Sequence, residues 1–307
     1  MKPKIFIDGE HGTTGLQIRT LLAGRGDLDI ISVPTERRKE KEARAEYLNA
    51  ADIAILCLPD DAARQSVAMI ANGTTRVIDA STAHRTAEGW VYGLPEISGR
   101  ETVAGARFVS NPGCYSTGFI ALVAPLVQAG LIPADALLSC NAVSGYSGGG
   151  KAMIADYERE GEPPAAWRTY ALTLAHKHVP EMQARCGLAH RPLFAPAVVP
   201  VYSGMVVEVP LHRDMVSGDA AQMRAALADH YAGSPIIGVA QDDAPATLAI
   251  ELLKDRDDMT LFVFADEGSA QIRLVAALDN LGKGASGAAV QNLNLMAGLP
   301  ETTGLRL

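Results

Sequence analysis

Short apolar runs and helical stripes alternate through the first part of the chain. Lys4-Ile-Phe-Ile-Asp8 is an apolar run that stops at Gly9, as a buried strand does. Thr13–Ala23 carries Leu16, Ile18, Leu21 and Leu22 at helical spacing and ends at Gly24. Leu28–Val33, Asp52–Cys57 and Thr75–Asp79 read as further strands, and Asp60–Ala71 as a helix capped by Asp60 or Asp61. Such alternation predicts a parallel, doubly wound sheet. The pattern changes after Asn111-Pro-Gly-Cys-Tyr115. Tyr115–Ala129 is a long apolar helix ended by Gly130 and Pro133. Val198–Leu211, Met259–Ala265 and Ala270–Leu278 then read as longer strands, with few helices among them, one being Ala220–Tyr231. A last apolar helix, Ala288–Leu299, follows a glycine-rich turn at Gly282–Gly287. The charge-dense Glu36–Glu46 reads as a solvated loop and helix face.

The expected fold is α/β: an N-terminal Rossmann-like doubly wound parallel sheet, then an α+β domain with a mixed or antiparallel sheet. Residues 1–113 form the first domain and 114–284 the second, with the helix at 285–307 returning to the first. Length agrees, since 307 residues exceed one domain of roughly 150. With 48% apolar and 20% charged residues the chain can bury a full core, which excludes a disordered protein. A net charge of −8 and 5% aromatic residues argue against a nucleic-acid surface. No apolar stretch approaches ~20 residues, so no membrane span is expected. The start lacks the pattern of a secretory leader, and the four cysteines form no C-x-x-C pair; both point to the cytoplasm and to reduced thiols.

Gly9-Glu-His-Gly12-Thr13-Thr14-Gly15 lies between the first strand and the first helix, where glycines let the backbone approach a pyrophosphate at a helix N-terminus. The spacing is G-x-x-G-x-x-G, and a plain loop carries the same residues; the strand–turn–helix order is what favours a dinucleotide. After the second strand the chain reads Thr35-Glu-Arg37-Arg38-Lys39. Guanidinium groups there suit a 2′-phosphate, which favours NADP over NAD, although exposed charges would look the same.

Cys114 stands at the first turn of the long apolar helix, where the positive helix end favours a nucleophilic thiolate. A small buried hydrophobe is the alternative, and it is the expected state of Cys57, Cys140 and Cys186. A nucleophilic thiol needs an acid–base partner, and His176-Lys-His178-Val-Pro-Glu181 offers two histidines before a proline-broken turn. No carboxylate or cysteine completes a metal-ligand set with them, so no metal is expected. Arg85, in the loop after Asp79, is placed to hold a phosphate or carboxylate, or is a surface charge.

Asn111-Pro-Gly-Cys114-Tyr115, the Asp-x-Ser-x-x-x-Arg run ending at Arg85, the His-x-His-x-Pro-Glu segment and Lys283-Gly-Ala-Ser-Gly287 with Gln291-Asn292 occur in one order. Together they resemble the N-acetyl-γ-glutamyl-phosphate reductase family, in its shorter branch, within the superfamily of aspartate-semialdehyde and glyceraldehyde-3-phosphate dehydrogenases. Two departures stand out: Ala288, where many members have Gln, and the extended glycine run Ser144–Gly150. The resemblance implies NADPH-dependent reduction of an acyl phosphate to a semialdehyde through a Cys114 thioester, in arginine biosynthesis. It implies His178 as the proton-exchanging residue, and Arg85, Asn111, His176 and Ser144 on the substrate. It adds Pro59, Ser81, Lys283 and Asn292 to the glycine turn as cofactor residues. It also implies a homo-oligomer, dimer or tetramer, acting on a small molecule. The rival readings are another semialdehyde dehydrogenase, a cysteine acyltransferase or hydrolase without nicotinamide, and a non-catalytic NADP-binding protein.

Overall fold

The computed structural model describes residues 2–38, 40–161, 164–241, 245–268 and 270–307. The chain divides into two compact units, 1–112 with 285–305, and 113–284 with 306–307.

In the first unit, β1 (Lys4–Asp8), α1 (Thr13–Leu22), β2 (Asp29–Ile31), α2 (Lys41–Ala50), β3 (Ile53–Leu56), α3 (Asp60–Ala68) and β4 (Arg76–Asp79) follow one another. β5 (Val91–Tyr92), α4 (Pro95–Ser98), α5 (Arg100–Gly105) and β6 (Phe108–Ser110) complete the run. All strand pairs are parallel, in the order β2-β1-β3-β4-β6-β5. Both sheet faces are buried, and successive side chains alternate between them. Ile5, Ile7, Ile53, Ile55 and Ile78 pack with Ile18 and Leu22 of α1 on one side. Phe6, Ala54, Leu56 and Val77 pack with Leu48 of α2 and Ala63 of α3 on the other. This is the doubly wound parallel sheet that the alternation predicts.

The second unit opens with α6 (Cys114–Gln128), then β7 (Ser139–Gly145), α7 (Gly150–Glu158), β8 (Arg168–Thr169), α8 (Val179–Cys186), β9 (Leu193–Val199) and β10 (Met205–His212). α9 (Ala220–His230), β11 (Ile237–Val239), β12 (Met259–Ala265) and β13 (Gln271–Leu278) follow. The sheet is mixed, ordered β11-β12-β13-β10-β7-β9-β8, with β11–β12 and β7–β9 parallel. α6 is buried from Tyr115 through Leu126, so it is a core helix that is apolar on every side. α10 (Gly287–Met296) then returns to the first unit, where Ala289, Val290 and Leu293 join the cluster of Ile5 and Ile7.

Two local expectations are corrected. The run Val198–Leu211 is two strands, because Pro200 has no N–H for a ladder and Gly204 adopts φ +115° in the turn between them. Asp60 and Asp61 do not cap α3: Pro59 is the N-cap, and the Asp60 carboxylate accepts the N–H and hydroxyl of Thr82 instead. Pro180 lies in the first turn of α8, where a missing N–H costs nothing. The glycine-rich turn before α10 is a wide, five-residue π-type turn at Gly282–Ser286.

Candidate active site

In the second unit, Cys114 is the first residue of α6, after the N-cap Gly113. Gly113 has no side chain to cap the first-turn N–H groups, and Cys114 stands in that positive first turn. The Gly113 N–H donates to Glu181 Oε2 at 3.3 Å, which ties α6 to α8 through a buried carboxylate. The next residue, Tyr115, is buried against both histidines: its ring centroid lies 6.2 Å from that of His176 and 5.9 Å from that of His178. The imidazoles themselves meet edge to face at 4.7 Å, and Phe194 packs 5.0 Å from His176. His178 is the N-cap of α8 and is buried.

Tyr170 closes this wall. Its hydroxyl donates to that of Tyr115 at 3.1 Å, and its ring lies 5.7 Å from His176. Burial pushes both phenols up from their ordinary range, with the nearby Cys114 sulfur adding to the effect, so both remain neutral hydrogen-bonding groups. Ser144, buried near the end of β7, donates its hydroxyl to the Gly145 carbonyl at 2.6 Å. Gly284 lies against the nucleophile, for a Cβ there would stand 2.8 Å from that of Cys114. Lys283 beside it is fully buried. Burial pushes the other thiols up, Cys57 to about 12 and Cys140 and Cys186 as well.

In the first unit the glycine turn is a close-packed cradle. A Cβ at Gly9, which adopts φ +89°, would lie 2.4 Å from the Cys57 carbonyl oxygen, and one at Gly15 would lie 2.3 Å from that of Gly9. Gly12 is the N-cap of α1, so the N–H groups of Thr13, Thr14 and Gly15 form an uncapped helix end suited to a pyrophosphate. Pro59 caps α3 after β3, and Ser81 follows β4 with its N–H and hydroxyl held by the Asp79 carboxylate at 2.9 and 2.8 Å. All of these stand at the C-terminal ends of parallel strands, where such sheets bind ligands. These residues fit a dinucleotide.

Arg37, after β2, bonds Glu40 and Glu46, and Arg38 is exposed; Lys39 lies outside the described residues. The Glu10 carboxylate of the glycine turn reaches the hydroxyl of Ser32, also just past β2, at 3.1 Å. Arg85 is buried and donates Nε to the Asn111 carbonyl oxygen at 3.0 Å. The Asn111 amide donates to the Ala285 carbonyl and accepts from Asn292 Nδ2 at 3.1 Å. Asn292 is fully buried, so it acts on Asn111 and the Gly93 carbonyl rather than at a surface.

The motifs did not single out Tyr170, Glu10 or Ser32. Tyr170 lies in a stretch without periodicity, and Glu10 gains meaning only by reaching a second strand end. Glu181 was visible as part of its motif but carried no role. Among the described residues no group of three or more His, Cys, Asp or Glu is arranged to hold a metal ion, and no helix is long and apolar enough to cross a membrane.

A nucleotide-binding parallel sheet joined to a mixed-sheet unit with a cysteine at a helix start defines a semialdehyde-dehydrogenase type of protein. Comparison with known families agrees: residues 4–106 match the semialdehyde dehydrogenase NAD-binding domain, and 114–280 the semialdehyde dehydrogenase dimerisation domain. Among solved structures, aspartate semialdehyde dehydrogenase II of Vibrio cholerae shares the fold, with a TM-score of 0.75 at 18% identity over 97% of this chain and 99% of that one. The enzyme of Francisella tularensis does so at 0.70 and 12%, over 96% and 99%. N-acetyl-gamma-glutamyl-phosphate reductases are far closer in sequence. That of Mesorhizobium japonicum is 55% identical over 97% of this chain and 100% of its own length, and that of Brucella anthropi 55% over 97% and 99%. The chain belongs to the N-acetyl-gamma-glutamyl-phosphate reductase family.

Proposed function

We propose that the protein reduces N-acetyl-L-glutamyl 5-phosphate to N-acetyl-L-glutamate 5-semialdehyde and phosphate, with NADPH as reductant and Cys114 as the covalent nucleophile. The observation that carries this reading is Cys114 at the uncapped start of a buried helix, with the His176 and His178 rings packed on the adjoining Tyr115.

The Cys114 thiolate attacks the acyl carbon, the bond from that carbon to the phosphate oxygen breaks, and phosphate leaves with the bonding pair. The first-turn N–H groups of α6 stabilise the oxyanion of the tetrahedral intermediate. When bound, the nicotinamide supplies the hydride that reduces the resulting thioester. His178 protonates the thiohemiacetal oxygen and takes that proton back as the carbon–sulfur bond breaks, which releases the aldehyde and restores the thiolate. His176 orients the substrate, with Ser144 beside it, while Arg85 and Asn111 bind its anionic groups. Gly9, Gly12, Thr13, Thr14 and Gly15 hold the pyrophosphate, with Pro59 and Ser81 at neighbouring strand ends. Arg37 and Arg38 exchange solvent and carboxylate partners for the 2′-phosphate. The working form is a homo-oligomer built through residues 114–280, in keeping with the dimerisation-domain family that this stretch matches.

Run in reverse, phosphate-dependent formation of NADPH from N-acetylglutamate semialdehyde tests the assignment. Aspartate semialdehyde is the competing substrate, and a preference for it would overturn the reading.

A further inference from the structure

We propose that Asp279 is a positioning residue for the nucleophile: its buried carboxylate folds the Leu281–Gly284 turn so that Gly284 backs the Cys114 side chain. The proposal rests on Cys114 being the nucleophile.

Asp279 follows the last residue of β13 and is 1% exposed. Its Oδ1 accepts the N–H groups of Leu281 at 2.7 Å and Gly282 at 3.1 Å, which bends the chain sharply off the strand. Its Oδ2 accepts the Asp255 N–H at 2.7 Å and the Ser203 hydroxyl at 2.9 Å, which anchors the carboxylate to two other loops. The Asp279 carbonyl then accepts the Gly284 N–H at 3.0 Å and closes the turn. Asn280 pins the other side, accepting the Gly204 N–H at 2.9 Å and donating to Ser147 Oγ at 3.0 Å. Every one of these groups lies in the second unit.

Two glycines make the turn fit. At Gly282 a Cβ would stand 1.9 Å from the Arg256 carbonyl oxygen. At Gly284 it would stand 2.8 Å from Cys114 Cβ, 3.3 Å from its Cα and 3.0 Å from the Asp279 carbonyl oxygen. The Gly284 backbone therefore occupies one side of the nucleophile and restricts the rotamers open to its thiol. A nucleophile displaced by about 1 Å from its attack geometry loses ~10²-fold in rate. Asp279 thus acts on Cys114 through a single rigid turn without touching substrate.

Asp279→Asn keeps the side-chain shape but puts an amide nitrogen where one of the accepting oxygens stood. Gly284→Ala adds only a methyl group, at a position whose φ is not left-handed. Both variants are expected to lower kcat and the rate of acyl-enzyme formation by ~100-fold, with KM for the acyl phosphate and Kd for NADPH within about threefold of the parent. Ser203→Ala, which removes one of four bonds to the carboxylate, should give the same kinetic signature more weakly. If these variants lower the melting temperature but acylate and turn over at the parent rate well below it, Asp279 is only structural and the proposal falls. Should the Asn variant fail to fold, Gly284→Ala decides alone through the same rates. The nucleophile is checked separately in the parent protein, by mass spectrometry of the acyl-enzyme trapped without NADPH; an adduct elsewhere than Cys114 would overturn both readings.

Discussion

The backbone N–H of His178 donates to Nδ1 of His176 at 3.2 Å. An Nδ1 that accepts carries no proton, so the neutral His176 ring holds its hydrogen on Nε2. The bond also fixes the ring's orientation two residues before the N-cap of α8. His176 is thereby a fixed donor, which suits the substrate-orienting role proposed for it.

The two histidines should separate kinetically. His178→Asn should lower kcat by ~10²–10⁴-fold and remove one limb of the pH–rate profile. His176→Asn should raise KM by about 10–100-fold and keep both limbs. Profiles with the limbs lost in the opposite variants would exchange the two roles.

Cys114→Ser should abolish turnover while leaving NADPH binding intact, because a serine hydroxyl is scarcely ionised near neutral pH. Isothermal titration with NADPH, alongside the activity assay, checks both halves. Retention of more than a few per cent of the activity would remove Cys114 from the mechanism.

The proposed preference for NADPH is tested at Arg37 and Arg38. Neutralising both should weaken NADPH by about 10–100-fold and leave NADH nearly unchanged, since only the 2′-phosphate makes a charge-assisted contact with them. Glu40 and Glu46, which bond Arg37 in the structure, would then lose their partner without effect on NADH. Equal loss for the two cofactors would assign these arginines to the surface alone.

The strands of the first unit and the helix that opens at Cys114 were legible because each depends on residues a few places apart. Continuous apolar runs such as Ile5–Ile7 and the apolar stretch Tyr115–Ala129 need no knowledge of a partner. Sheet order is another matter. Nothing local says that β13 lies between β12 and β10, or that Asp279 meets Ser203 across 76 residues. The split of Val198–Leu211 was readable in principle from Pro200 and Gly204, but its apolar content masked those breakers. Within the candidate site, Cys114 and the histidines came with motifs. Tyr170 did not, since its place beside Tyr115 arises only when β8 pairs with β9.

Stability should fall in alkali. A thiol titrates at 9.0 when unperturbed, whereas burial, with the Asp79 and Asp8 charges nearby, pushes Cys57 up to about 12. Below pH 9 both states hold the proton and its contribution is fully present. Between about 9 and 12 the unfolded chain releases a proton that the folded chain keeps, so stability is lost as pH rises, by up to ~1.4 kcal/mol per pH unit for one thiol. Denaturant titrations from pH 8 to 11 on the parent and Cys57→Ala should show a shallower decline in the variant.

Arg306 donates its backbone N–H, Nε and Nη2 to Asp257, which is fully buried. Arg306→Met should cost about 1–3 kcal/mol, less than a fully enclosed pair because the guanidinium side is partly exposed to water. Chemical denaturation of the two proteins measures it. A loss below a few tenths of a kcal/mol would mean that water replaces the arginine at Asp257.

The return of α10 to the first unit sets a schedule for synthesis. Ile5 and Ile7 are made before Gly113–Gly284, yet the side of the sheet they line is covered in part by Ala289, Val290 and Leu293, made after it. At ~5–20 residues per second, the ribosome spends about 10–30 s making Gly113–Gly284 while that apolar strip waits for its cover. The seven-stranded unit, nearly continuous in the chain, is free to fold in that interval. The nucleotide-binding unit matures last, so a nascent chain stalled before Gly287 would display an open isoleucine face, a target for chaperones and proteases.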